Sequence, residues 1–346
     1  MKAASSVRRG PPNVVVTQLG PIMNTSGMSR RRRYPAIIGF PWGVPVDADC
    51  LGSRHEVSID GRPCTLALPV LESNGQLGSP PGGNGEPLAL QLENRVRSLP
   101  HRWGYAGAPG TWYVKAVAAS MLLPSDEVLG DADHFNALQA AFVGWSRTVV
   151  EWAAAWSQEL LMQFETDNDP ILYVDMGDKG HLSMSDPRSR TDFVRDVHPL
   201  NHAQLTGALR RASREDRLPV EHAILLSAED ARAGGDLRQA AIDAATAAEV
   251  AYASFIRERL KGGRKGLPAE FIEEMIKDAN GIANLHALCR NLGGEPEVSK
   301  NKLVNQLANV RNQAAHAGET PTADETATAI RHAMTIVRAL RPLPLH

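Results

Sequence analysis

Two periods organise this chain. From Tyr34 to about Pro124 apolar residues recur at strand-like spacing. His55–Glu56–Val57–Ser58–Ile59 alternates, Asp60–Gly61 interrupts, and Arg62 to Val70 resumes. That predicts a β-hairpin with a tight turn, because Asp-Gly tolerates the positive φ such turns need. Gly78 to Pro87, with two adjacent prolines and four glycines, reads as a loop. It lacks the Gly-Lys-Ser/Thr ending of a phosphate loop and is taken as a spacer. Thr111 to Leu123 is a largely apolar strand ended by Pro124. Between residues 133 and 165 the period changes. Phe135, Leu138, Phe142, Trp145, Val149, Trp152 and Trp156 fall at steps of three and four, which places them on one helical face. Tryptophans on one stripe can stack bases; the plainer reading is core or a dimer seam. Ile171 to Met184, with Gly177–Asp178–Lys179–Gly180 in its middle, predicts a second hairpin near this helix.

From about Pro219 the chain is helical and alanine-rich. A first helix over Val220 to Ala233 is closed by Gly234–Gly235. A second begins at Asp236, with Gln239 three residues on as in a capping box, and runs through Leu237, Ala241, Ala244, Ala248, Ala251 and Phe255 on one face. Small residues there let a neighbouring helix approach closely. After the basic loop Lys261 to Gly266, a third helix is expected from Ala269 to Leu292, ending at Gly293–Gly294. A fourth runs from Ser299 to about Ala317, with Leu303, Leu307, Val310 and Ala314 as its core stripe and Gly318 as its stop. The last opens with Thr322 and Glu325 and buries Ala327, Ile330, Met334 and Val337. Short loops and one apolar face per helix specify an up-and-down bundle. The fold class expected is therefore α+β, a β-rich or mixed N-terminal region followed by a C-terminal all-α bundle. Its divisions are a basic disordered arm at 1–33, a mixed hairpin and long-helix domain at 34–215, and the bundle at 216–346.

Composition narrows the function classes. With 346 residues, 43% apolar and 22% charged, the chain is an ordinary globular protein of two or three domains. Its longest apolar runs fall well short of a membrane helix, and Val14–Val15–Val16 is too short for the core of a signal peptide. A start at Met23 or Met28 is the alternative reading of the first residues. Cys50, Cys64 and Cys289 form no CxxC pair, which argues against a zinc site or a disulfide scaffold and for a reducing cytoplasm. Residues 1–33 hold seven basic groups and no acid, leaving 30 basic against 39 acidic residues elsewhere. Outside the arm, which is able to bind RNA phosphates or simply be solvated, nucleic-acid chemistry must rest on a local site. Asp167, Asp169, Asp175 and Asp178 surround the second hairpin and can be weighed as a Mg²⁺ site. Asp178 and Lys179 are adjacent rather than in an Asp-x-Lys arrangement, so ordinary turn acids are the reading taken, with no metal and no cofactor expected.

One constellation carries chemistry: Arg311–Asn312–Gln313–Ala314–Ala315–His316–Ala317–Gly318. Asn312 and His316 are four apart and share a helical face. Arg311 is about 140° round from His316 at 100° per residue. Together they supply a fixed cation, a titratable imidazole and an amide. That set suits metal-free RNA cleavage. Histidine, with an ordinary pKa near 6.5, can take the proton of a ribose 2′-hydroxyl or return one to the 5′-oxygen. The forked arginine suits the extra charge on a five-coordinate phosphate. Asn312 can fix the histidine or hold a phosphate oxygen, and the helix end before Gly318 favours a protonated imidazole. The same spacing also arises in helices that catalyse nothing.

The Arg-Asn-x-x-x-His motif late in a fourth helix resembles the HEPN superfamily (higher eukaryotes and prokaryotes nucleotide-binding domains). The stretch from Ala228 to Asp236, then Ala240–Ala241 and Ala247–Ala248–Glu249, is similar to the usual first two helices of that family. The resemblance covers roughly residues 219–346. It implies a metal-independent endoribonuclease in which Arg311, Asn312 and His316 act and Glu249 supports them. It implies two protomers whose Arg–His sets line one cleft, a toxin-like or antiphage role, and residues 34–215 as a part that senses a trigger or partner protein. Family members without activity serve as interaction or nucleotide-binding modules, and that alternative is carried forward.

Overall fold

The computed structural model describes residues 31–80, 103–107, 109–124, 132–157, 170–175, 181–185, 198–262, 266–279 and 281–344. Residues 1–30 of the basic arm, 81–87 of the glycine-rich loop, 263–265 of the basic loop, and Asp167, Asp169 and Asp178 of the acidic cluster lie outside them. The protein is mixed α+β and divides into two compact units.

The first unit is built on an antiparallel sheet. Its strands are β1 (Arg31–Val46), β2 (Arg54–Ile59), β3 (Arg62–Ala67), β4 (Val70–Leu71), β5 (Leu77–Gly78), β6 (Gly104–Ala106), β7 (Trp112–Pro124), β8 (Pro170–Asp175) and β9 (His181–Ser185). The main sheet runs β2-β3-β7-β1-β8-β9, with β6 also on β7. The predicted hairpin is present: Arg54 to Ile59 pairs with Arg62 to Ala67, and Asp60 and Gly61 both take positive φ. The second hairpin is present too, and β8 joins the sheet through Ala36 to Ile38 of β1. β1 begins three residues before Tyr34. Arg31, Arg32 and Arg33 face Pro124, Leu123 and Leu122 of β7, so the end of the basic run is strand. Backbone pairing explains this, since β7 extends that far and its peptide groups need partners whatever the side chains carry. Central strands are covered on both faces, which is why their sequences read as apolar runs. Ile37, Ala67, Trp103, Ala116 and Ala118 form one cluster, and Phe40 stacks on Trp145 at 6.3 Å.

Helix α1 (Ala132–Ser157) carries the tryptophan stripe. Leu138, Phe142, Trp145, Val149, Trp152 and Trp156 are all buried, which leaves no indole face open to a base. The stripe is core.

The helices of the second unit are α2 (His202–Ser213, whose last two residues count with the first unit), α3 (Val220–Ala233), α4 (Leu237–Lys261), α5 (Ala269–Asp278), α6 (Ile282–Asn291), α7 (residues 300–317) and α8 (Ala323–Leu340). It takes in Thr148–Met162 and Asp192–Arg211 ahead of residue 216. The Trp152 indole N–H donates to the Asp216 carbonyl at 3.0 Å, and the Arg211 guanidinium lies 4.4 Å from the Trp152 ring. One helix expected over Ala269 to Leu292 is two, because Gly281 sits at φ +94, which a right-handed helix does not allow. Asp236 caps α4 by accepting from the Gln239 N–H, but the Gln239 amide turns to Asp243, so the box is one-sided. Thr322 and Glu325 form the complete box. On α8 the buried face is Thr326, Ala329, Ile330, Ala333, Ile336, Val337 and Leu340, with Ala327 and Met334 half-buried at its margin. The alanine face of α4 packs with Leu303, Leu307, Ile330 and Val337 in one core. Among the described residues no helix is long and apolar enough to cross a membrane.

Two histidines are folded into this unit. His286 Nδ1 bonds the Tyr252 hydroxyl at 2.8 Å, and His222 Nε2 bonds the Arg341 carbonyl at 2.7 Å. Burial, the largest influence on each, holds both below the usual histidine range. The unfolded chain takes up these protons near pH 6.5 and the folded chain only at lower pH. The stability they contribute is therefore present above pH 6.5 and lost as pH falls below it. Urea midpoints measured from pH 8 to pH 5.5 should decline; a flat series would refute the assignment.

Candidate functional site

The motif helix α7 starts at Ser299, whose hydroxyl accepts from the Lys302 N–H. Leu303, Leu307, Val310 and Ala314 are its buried stripe. The first two enter the main core, and Val310 and Ala314 pack on Ala241 with Ile242 alongside. Ala314 and Ala241 are small, which lets the α7 backbone approach α4 there. The helix is not uniform: α segments Lys300–Leu303 and Asn309–Asn312 alternate with π segments Val304–Ala308 and Gln313–Ala317. Gly318, at φ +69, then takes the left-handed conformation that ends it.

The second π turn changes the angle between the motif residues. An α-helix separates positions five apart by about 140°. A π turn is closed by i→i+5 bonds, which bring such positions toward one face. Arg311 and His316 are five apart, and His316 lies within the π turn. His316 and Asn312 are exposed; Arg311 is half-buried. Arg311 Nη1 donates to Asn312 Oδ1 at 3.1 Å, so Asn312 orients the guanidinium rather than the imidazole. Arg311 Nε is enclosed and carries no hydrogen bond. Glu249, half-buried on α4, is close enough to feel the arginine. Burial pushes its carboxyl above the usual range, and the Arg311 charge opposes that shift. Glu249 and Arg311 are thus electrostatic neighbours across α4 and α7.

Sequence reasoning missed Arg238. Its Nε donates to the Ala314 carbonyl at 2.7 Å, supplying a partner for an end-of-helix acceptor. Arg238, Ile242, Ala245 and Glu249 recur at steps of four, three and four, so one stripe of α4 brings a cation and a carboxylate to α7. A signal was present: an arginine in the first turn of a helix opposes the macrodipole and needs a reason elsewhere. Removing it with Arg238→Ala should cost about 1 kcal/mol, the worth of a partly solvated charged hydrogen bond. Hydrogen exchange at residues 313–318 should accelerate; unchanged exchange would show that the contact does not hold the turn.

Cys50, Cys64 and Cys289 are buried, and burial pushes the Cys289 thiol up to about 11 and the Cys50 thiol higher still, so neither is a nucleophile. Among the described residues no three His, Cys, Asp or Glu side chains group as a metal site. The chain matches no protein-family model, no curated protein and no solved structure.

Proposed function

We propose that this protein is a metal-independent endoribonuclease of the HEPN type. The reaction is attack of a ribose 2′-oxygen on the neighbouring phosphorus. The O2′–P bond forms and the P–O5′ bond breaks, leaving a 2′,3′-cyclic phosphate and a 5′-hydroxyl. The 2′-hydroxyl gives up a proton and the leaving 5′-oxygen gains one, and His316 serves as the group that moves it. Arg311 meets the charge that develops on the phosphate. Asn312 and Glu249 position Arg311. A second copy set against this face contributes a second Arg311 and His316, so that one imidazole acts as base and the other as acid. The helical unit holds this chemistry, and the sheet unit is the part that answers a trigger or partner, as in a toxin-like or antiphage protein of the cytoplasm.

The observation that carries this reading is the Arg311–Asn312 bond beside an exposed His316 in a π turn, since such turns recur at functional sites. A non-catalytic module would be favoured by Arg311 and His316 both shut away from solvent; His316 is open to it and Arg311 is half-buried. Purified protein incubated with mixed-sequence RNA in EDTA should yield fragments with cyclic phosphate ends, and intact RNA across varied substrates would defeat the proposal.

A further inference from the structure

The helix bearing Arg311 and His316 carries a run of exposed amides. Six of residues 300–317 are amides: Asn301, Asn305, Gln306, Asn309, Asn312 and Gln313. Asparagine is a poor helix former, because its short amide competes for backbone groups. All six are exposed, so packing recovers nothing. No acid occurs between Glu297 and Glu319, in a chain with 39 acidic residues. Exposed asparagines in a helix that gain no packing call for a role beyond packing.

The amides are also ordered. Asn305 Nδ2 donates to Asn301 Oδ1 at 2.7 Å, and Asn309 Nδ2 donates to Asn305 Oδ1 at 3.5 Å. Gln313 is the next step of four, three residues short of His316. In a pure α-helix, steps of four drift by about 40°. The π turn Val304–Ala308 offsets that drift between Asn305 and Asn309. Asn301, Asn305 and Asn309 steady one another and keep further donors and acceptors, and Gln313 follows them by position. Cations flank the row. At one end His332 Nε2 bonds Gln306 Oε1 at 2.7 Å. Lys302 and Arg331 are close enough there that their charges, after burial, hold His332 below the usual range. At the other end stand Arg311 and Arg238.

Cations at the ends and neutral amides between them match a single RNA strand, whose phosphates seek charge and whose splayed bases offer uncharged edges. Asparagine and glutamine bond adenine through its N6 and N7. Resting on the ribonuclease reading above, we infer that the row Asn305–Asn309–Gln313 is a base-reading track for single-stranded, adenine-bearing RNA that selects which phosphodiester reaches His316.

The test uses the full chain carrying His316→Ala, so that bound RNA is not cut, with labelled oligo-A, oligo-C and oligo-U of equal length at one salt concentration. Oligo-A should bind at least about 10-fold tighter than the others, as one bidentate pair provides. Adding Asn305→Ala, Asn309→Ala and Gln313→Ala should collapse the difference to about 2-fold or less without lowering the melting temperature, since alanine favours a helix at exposed positions. Equal binding of the three oligonucleotides, or a preference that survives the triple substitution, overturns the track. A triple substitution that separates two copies in sedimentation while leaving the preference intact also overturns it, making this face an interface. Cleavage by the unsubstituted chain is scored apart: RNA that binds with a preference the triple variant lacks, yet is never cut, removes the ribonuclease reading and leaves the track standing.

Discussion

Replacing His316 with alanine should slow RNA cleavage by about 10²–10⁴-fold, the usual worth of a positioned proton-transfer group, with no fall in melting temperature. The imidazole is exposed and fills no cavity, so its loss bears on chemistry and not on folding. Arg311→Lys belongs in the same experiment. Lysine keeps the charge but has no fork to meet both the Asn312 oxygen and a phosphate, so activity should drop while RNA binding at low salt is largely retained. End-labelled RNA, with product ends identified as cyclic phosphate, measures both variants. Cleavage by His316→Ala at the unsubstituted rate would mean that the motif helix is scaffold, and the Arg311–Asn312 bond a structural tie.

The second large effect is on stability. Trp152→Ala should cost about 3–5 kcal/mol in urea unfolding, the range for deleting a buried aromatic ring. Trp152 is 1% exposed and lies 5.3 Å from Trp156. Deleting it also leaves the Asp216 carbonyl without the indole donor and removes the ring beneath the Arg211 guanidinium, which keeps its bond to the Pro344 carbonyl. Trp152→Phe should recover much of the packing but not the hydrogen bond. Were the stripe a base-stacking platform instead, the alanine variant would unfold at the parental midpoint and lose only affinity for RNA.

These two residues mark what the sequence made legible. The tryptophan stripe was visible because helical period and burial coincide at Leu138, Phe142, Trp145, Val149 and Trp152. The Asp60–Gly61 turn, the Thr322–Glu325 box and the Gly318 stop were readable because each rests on one residue type with one conformational use. The helix over His202–Ser213 was overlooked, although Asn201 and Gln204 cap it reciprocally at 3.0 Å and Leu205, Ala208, Leu209 and Ala212 fall at helical spacing; two small residues in that stripe and Gly207 beside it make the apolar signal faint. Gly281 was read through because nothing in a helical period announces a positive φ. At the site, residue types were legible and angles were not. The 140° between Arg311 and His316 assumed uniform α geometry, whereas backbone bonding in Gln313–Ala317 is of the wider kind. Arg238 bonds across helices; its place in the first turn of α4 pointed to a partner elsewhere but not to which one.

The wide turns in α7 carry a consequence for how this segment tolerates change. A wide turn houses an extra residue, so deleting a single position within Val304–Ala308 or Gln313–Ala317 lets the segment snap back to the narrower winding. Everything beyond the deletion would then swing round relative to Leu303 and Leu307, carrying the imidazole off its side of the rod. Substitutions along this stretch are tolerated or not by what they replace. The count of residues between Leu307 and Gly318 is a separate constraint, one that a swap of side chains never probes.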